Sequence, residues 1–396
     1  MNRSRMILAL AASASIAFTA CSTPGASTAP SAAAPSDAAP STGASAPASA
    51  GSSAPASAAA ELTPVSLQLQ WAPQAQFAGY FAAKEQGYFE AAGLDVTILD
   101  GGPTVVPQQV GSAPDGPEFT ISWVPKVLEA REAGSDLVNV AQIFQRSGTL
   151  SVSWKESNIT KPADFAGKKI GVWDFGNEYE VTAGAKKAGL EQGTDYEKVI
   201  QPFDMTLLLS KQIDVAEAMI YNEYAQVLEA TNPETGELYQ ATDLNVINWN
   251  DEGTAMLQDA IFARAAWLAE GENEATTTAF LKASFQGWIY CRDNPADCIE
   301  YTVNAGSTLG AGHQAWMMNE INPLIWPSPN GIGIVDPAQW QQTVDVSLGA
   351  GIIKAAPPAE AYGTDLAEAA LADLADADTK GESFVKGTVE VTPGGN

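Results

Sequence analysis

The chain has 396 residues, with 20 Lys and Arg against 47 Asp and Glu for a formal net charge of −27, and 45% of its residues are hydrophobic. That length is enough for two packed lobes, and so acidic a balance argues against nucleic acid as a partner, because the basic footprint that phosphates require is missing. A single histidine, His313, and three cysteines exclude a multi-histidine metal site and leave any Ser-His-Asp or Cys-His triad dependent on one side chain. No phosphate-cradling glycine loop, dinucleotide fingerprint or nucleophile elbow is apparent, and neither a metal nor a cofactor is expected.

The first element is a targeting segment. Arg3 and Arg5 give a positive start, Met6 to Phe18 are apolar, and Thr19-Ala20 place small residues before Cys21. Residues 1–20 read as a secretory signal peptide, too short to span a bilayer as a mature helix, which needs roughly 20 apolar residues. The cleavage site resembles a bacterial lipobox, which implies lipidation of Cys21 and a membrane anchor. Residues 22–60 are almost wholly Ser, Ala, Pro, Gly and Thr, with Asp37 as the only charge and no Ile, Leu, Val or aromatic residue. Such a stretch cannot offset its ordering entropy by burial. Residues 21–61 are therefore expected to be a disordered tether, reaching roughly 35 Å at about 5–6 Å times the square root of its length.

Alternating strands and helices follow. Val65–Gln70 alternates apolar and polar residues, Gly79 to Ala92 has helical periodicity ending at Gly93, and Leu94–Leu99 reads as the second strand. A short helix around Gln108-Gln109-Val110, a strand at Phe119–Ser122, a helix through Arg131 and a strand over Val138–Phe144 come next. A second series starts at Lys169–Trp173 and continues with a helix from Asn177 to Ala188. Strands at Val199–Gln201 and Val215–Ile220 are each followed by a helix, at Met205–Lys211 and Asn222–Ala230; from Ile261 helices dominate. Two βα series imply two lobes with mostly parallel sheets covered on both faces.

Cys291 and Cys298, seven apart around the turn Asn294-Pro295, are expected to form a disulfide outside the cytoplasm, the alternative being two reduced, half-buried thiols. His313 reads as a solvated residue at a helix start. Trp316 and Trp326 are expected to pack a helix and an irregular loop of the first lobe.

Trp71-Ala-Pro-Gln-Ala-Gln-Phe-Ala-Gly-Tyr80 and Ala83-Lys-Glu-Gln-Gly-Tyr-Phe-Glu-Ala-Ala-Gly-Leu-Asp-Val96 resemble the opening of ABC-transporter solute-binding proteins related to thiamine-pyrimidine synthase, a group that includes binders of thiamine pyrimidine precursors, riboflavin and alkylsulfonates. Gln145-Arg146-Ser147, Trp173–Glu178, Phe203-Asp-Met205 and Tyr221–Tyr224 add to the likeness, which spans roughly residues 62–350. It implies a two-lobe α/β fold of the type II periplasmic-binding-protein class, with a hinge and an interlobe cleft. Lobe 1 would hold residues 62–151 and 258–350, lobe 2 residues 152–257, with 351–396 as a C-terminal extension. It implies a monomer that takes a small solute and hands it to ABC permease and ATPase subunits. The competing classes are a thiamine-pyrimidine-synthase-like enzyme and an alkylsulfonate binder. The cysteine motif Cys-Cys-Cys-Phe-Cys of the enzymes is absent here, and a sulfonate binder would need more cations than Arg146.

Open α/β sheets bind ligands at the carboxyl ends of their strands, and aromatics and amides concentrate in those loops. Trp71, Gln74, Gln76, Phe77 and Tyr80 follow the first strand, with Gly79 expected to permit close approach of a helix start. Trp123 follows the third strand; Trp173, Phe175, Asn177 and Glu178 follow the first strand of the second series; Tyr221, Asn222 and Glu223 follow another. This composition suits a flat heteroaromatic solute stacked on ring faces, with Glu178, Asp204 and Glu223 as candidates to receive its amino groups.

Overall fold

The computed structural model describes residues 61–396; the expected signal peptide, Cys21 and the expected tether lie outside the described residues. Ten strands form two five-stranded sheets. The first has the order β2-β1-β3-β10-β4, from β1 (Thr63–Gln68), β2 (Leu94–Leu99), β3 (Phe119–Ser122), β4 (Leu137–Gln142) and β10 (Ala260–Arg264). The second has the order β7-β6-β8-β5-β9, from β5 (Thr149–Trp154), β6 (Lys169–Val172), β7 (Glu197–Ile200), β8 (Val215–Met219) and β9 (Leu244–Asn248). β1 pairs in parallel with β2 and β3, and β6 with β7 and β8. In each sheet one strand is reversed: β10 runs antiparallel to β3 and β4, and β5 antiparallel to β8 and β9. The fold is the expected pair of mostly parallel sheets.

Apolar clusters cover both faces of each sheet, as buried parallel sheets require. Leu67, Phe119 and Ile121 pack with Phe280 and Trp288 on one side of the first sheet, and Val127 and Phe262 with Trp340 on the other. Leu150, Val152 and Ala218 face one side of the second sheet, and Ile170, Val215 and Trp249 the other.

β5, β9 and β10 have no counterpart in the βα rhythm read from the sequence. β5 and β10 are the strands that carry the chain between sheets. The chain leaves the first sheet after Gln142 and enters the second at Thr149; it leaves after Asn248 and returns at Ala260. The helix expected over Gly79 to Ala92 is two helices, Ala78–Glu85 and Tyr88–Ala91, separated at Gly87, whose φ of 71° lies in the left-handed region.

Trp326 is buried in the first lobe with the Arg292 guanidinium 4.8 Å from its ring centroid. Trp316 instead reaches the second lobe: its indole donates to Ile220 O at 3.0 Å and its ring lies 6.2 Å from Tyr224. His313, expected in solvent, is buried, with Nδ1 2.9 Å from the Glu229 carboxylate and Nε2 3.0 Å from Asn222 Oδ1. The last residues close over this pair, where Gly394 N donates to Glu229 O at 3.0 Å. Cys291 and Cys298 are bonded, with Cα atoms 5.5 Å apart, and join the helices Asn273–Asp293 and Pro295–Asn304. Among the described residues no helix is long and apolar enough to cross a membrane.

The two crossover segments are fastened by one buried acid. Glu180, in the first turn of the helix Tyr179–Lys187, accepts from Ser147 Oγ at 2.7 Å in the outgoing segment and from Met256 N at 2.9 Å in the returning one. Burial outweighs these donors and pushes its carboxyl from the ordinary 4.5 up to about 8. The unfolded chain then loses this proton near pH 4.5 while the folded chain keeps it to about pH 8, so the contribution is present in acid and fades as pH rises across that interval. Glu180→Gln should remove one proton's worth of slope, at most about 1.4 kcal/mol per pH unit. Thermal melts between pH 5 and 8 should show a flatter profile than the wild type, and an unchanged profile would refute the assignment.

Candidate functional site

The parallel strands of both sheets end at one cleft. The loop after β1 brings Gln70, Trp71, Gln74 and Gln76. The turn after β3 brings Trp123, and the helix Val124–Glu132 beyond it brings Lys126. From the second sheet, Trp173, Phe175 and Asn177 follow β6, Phe203 follows β7, and Tyr221, Asn222 and Glu223 follow β8. Together with residues of the segment Gly102–Gln108 they line one cavity between the sheets. Of the residues expected from the sequence, Trp71, Gln74, Gln76, Trp123, Trp173, Phe175, Asn177, Tyr221, Asn222 and Glu223 lie on this wall.

The others do not reach the cavity, each for a local reason. Phe77 and Tyr80 point into the core of the first lobe, Tyr80 meeting Trp288 edge-on at 5.7 Å. Gly79 serves the same packing: a Cβ there would lie 2.2 Å from the Trp288 ring, so its small size admits that indole rather than a solute. Arg146 turns away and donates to Pro323 O and Pro327 O at 3.1 and 3.0 Å. Glu178 is engaged by Lys198 at 3.1 Å and by Gly176 N at 3.0 Å. Asp204 is exposed and accepts from Thr206 N at the start of a helical turn.

Aromatic rings dominate one side of the cavity. Phe203 lies between the lobes' tryptophans, its centroid 4.3 Å from Trp71 and 5.8 Å from Trp173, nearly parallel to the latter at 17°. Trp173 is itself held by a hydrogen bond from its indole to Pro202 O at 3.2 Å. Phe175 is 71% exposed with a φ of 65°, a left-handed backbone that a bulky side chain seldom adopts. Its apolar ring stands at the cavity with little protein over it.

The residue that organises this wall, Asp259, carried no signal in the sequence reading. It sits immediately before β10. Because that strand is reversed, its start lies where the parallel strands end, and Ala260 pairs with Ser122 beside Trp123. The Asp259 carboxylate accepts from Gln70 Nε2 at 2.9 Å, Gln76 Nε2 at 2.8 Å and Trp123 Nε1 at 2.8 Å. Burial raises it to about 6 against the pull of those donors. Glu223 accepts from Met219 N at 3.0 Å and is pushed up to about 7 by burial. The cleft is also bridged directly: Lys126 Nζ donates to Asn177 Oδ1 at 2.6 Å, and Tyr179 Oη donates to Glu129 Oε2 at 2.5 Å.

Asp259→Asn keeps the shape but turns a two-oxygen acceptor into one oxygen and an amide that faces donors. Denaturant unfolding should show a loss of about 1.5–3 kcal/mol, the usual worth of a hydrogen bond to a charged group, and Trp123 should report it as a shifted emission. Wild-type stability in this variant would show that the three donors do not depend on the charge.

The chain is similar to the riboflavin-binding protein RibY of Chloroflexus aurantiacus, at 25% identity over 304 residues, covering 74% of this chain and 83% of that one. It is similar to the formylaminopyrimidine-binding protein of Halalkalibacterium halodurans, at 24% identity over 242 residues, covering 60% of this chain and 69% of the relative. Among solved structures, the periplasmic aliphatic sulphonate binding protein SsuA of Escherichia coli superposes with a TM-score of 0.57 and 16% identity, covering 75% of this chain and 89% of that one; at that identity the likeness concerns the fold. Residues 74–298, more than half of the chain, match the family described as NMT1/THI5 like, and the protein belongs to that family.

Proposed function

We propose that this protein is the extracytoplasmic solute-binding component of an ABC importer and that it holds a small planar heteroaromatic solute between its lobes. The observation that carries the reading is the convergence of aromatic rings from both sheets, Trp71 and Trp123 on one side and Trp173, Phe175 and Phe203 on the other, in the walls of one cavity. Two relatives whose names specify riboflavin and a formylaminopyrimidine support this solute class. The lobes would close over it about the two crossover segments. Cys21 would carry the lipid that keeps the protein at the membrane, with residues 22–60 as the leash.

A stacked aromatic contact contributes roughly 0.5–1.5 kcal/mol beyond area burial, and Trp173 offers a large buried face as well. Trp173→Ala should weaken solute binding by about tenfold or more, 1.4 kcal/mol being one decade. Titration with riboflavin and with an aminopyrimidine, followed by quenching of tryptophan fluorescence, measures this. Unchanged affinity in the variant would exclude Trp173 from the site; tight binding of an aliphatic sulfonate, with both rings ignored, would overturn the solute class. Recovery of the solute chemically unchanged separates a carrier from a pyrimidine-synthase-like enzyme of the same family.

The anchoring proposal has its own test. Cys21→Ser should leave the precursor unprocessed or release the protein from the membrane fraction. Normal processing with unchanged fractionation would refute it.

A further inference from the structure

We propose that Lys126 is the specificity-determining residue of the cleft and that it selects planar solutes whose ring edge carries carbonyl oxygens. The proposal rests on the heteroaromatic reading above and adds which edge of the ring is read. Lys126 is the one cation among the residues lining the cavity, and it is 7% exposed. Its ammonium lies 4.3 Å from the Trp123 ring centroid and donates to Asn177 Oδ1 at 2.6 Å. An ammonium has three N–H donors, and among the described residues Asn177 is the one acceptor that Lys126 Nζ reaches.

Among the described residues no carboxylate forms an ion pair with Lys126. Asp259, before β10, takes three donors from the first lobe, and Glu178 is paired with Lys198. Glu217 on β8 accepts from Trp173 N at 2.9 Å through one oxygen while its other oxygen is buried without a partner, and Glu223 in the cavity wall accepts from Met219 N. A buried cation with unspent donors and no ion pair is costly unless something supplies acceptors. Here the solute is placed to do so. Amino-bearing edges would put donors against donors at this position, whereas a ring carbonyl oxygen would accept from the ammonium while the ring face meets the indoles.

Burial also lowers Lys126 from its ordinary 10.5 to about 8, with Asp259, Glu217 and Glu178 partly opposing the shift. A solute that needs the charged form should therefore bind less tightly as pH rises past 8.

The test is calorimetric titration of wild type, Lys126→Met and Lys126→Arg with riboflavin, whose ring carries two carbonyls, and with 4-amino-2-methylpyrimidine, at pH 7, 8 and 9. The wild type should prefer riboflavin. Lys126→Met should lose at least about tenfold for riboflavin and little for the aminopyrimidine, Lys126→Arg should recover part of the loss, and only the wild type should weaken between pH 8 and 9. Lys126→Gln, which can still donate to Asn177, serves in place of the Met variant if that one does not fold. Riboflavin bound by Lys126→Met within about twofold of wild type would overturn the role of Lys126 and leave the solute-binding reading standing. A wild type that prefers the aminopyrimidine would overturn the carbonyl selection. A wild type that binds neither ring would overturn the heteroaromatic reading and this one with it.

Discussion

One buried carboxylate sets the shape of the cleft. Asp259 collects donors from Gln70, Gln76 and Trp123, which arrive on two separate post-strand loops. Loops are free to vary unless something holds them, and here the holding group sits on the residue that leads directly into β10. Charge-assisted hydrogen bonds are shorter and stronger than neutral ones, and the low dielectric of the interior strengthens them further. The aromatic wall of the first lobe is thereby held in place by the protein's own hydrogen bonds.

The reversed strands are what make this possible. In a sheet of parallel strands alone, every amino end would lie at the face opposite the cleft. β10 and β5 enter backwards, so the segments leading into them, Ala255–Asp259 and Gln145–Gly148, pass through the cleft end of the molecule. Among the described residues the same segments are the only covalent links between the sheets. Glu180 grips both of them through Ser147 and Met256, and Gln258 adds a bond to Thr149 Oγ1 at 2.6 Å while accepting from Gly148 N at 2.8 Å. The crossover segments and the cavity wall are therefore built from neighbouring residues, Gln258 in the one and Asp259 behind the other, joined by buried hydrogen bonds. Glu180 and Asp259 are both held above their ordinary range by burial.

The lobes also meet away from the covalent links. Trp71 touches Phe203 and Lys126 reaches Asn177 on the cavity side. Behind it, the His313–Glu229 pair and Trp316 join the helix Ala311–Ile325 to the second lobe. The final residues cover that junction, with Val391 packed against the second lobe's core and Gly394 bonded to Glu229. The C-terminal extension is thus part of the contact between lobes rather than an appendage to one.

Where period-2 alternation and post-strand position carry the information, the chain alone was sufficient. β2 and β3 fall where the pattern places them, and Trp71, Trp123, Trp173 and Tyr221 lie in the loops that such strands must be followed by. These are local properties, set by how side chains alternate across a strand. What local pattern does not carry is which distant segment a strand joins. β5 and β10 break the βα rhythm because their partners are chosen by the sheets, and the fate of Tyr80 was decided by Trp288, over 200 positions away in the chain. Asp259 looks like an ordinary loop carboxylate until it is brought to donors 136 to 189 residues distant. Lys126 looks like a solvated helix charge until the second lobe closes over it. Burial of a charge is a property of the assembled interior, so only the tertiary structure could show which charges are buried and what they lack.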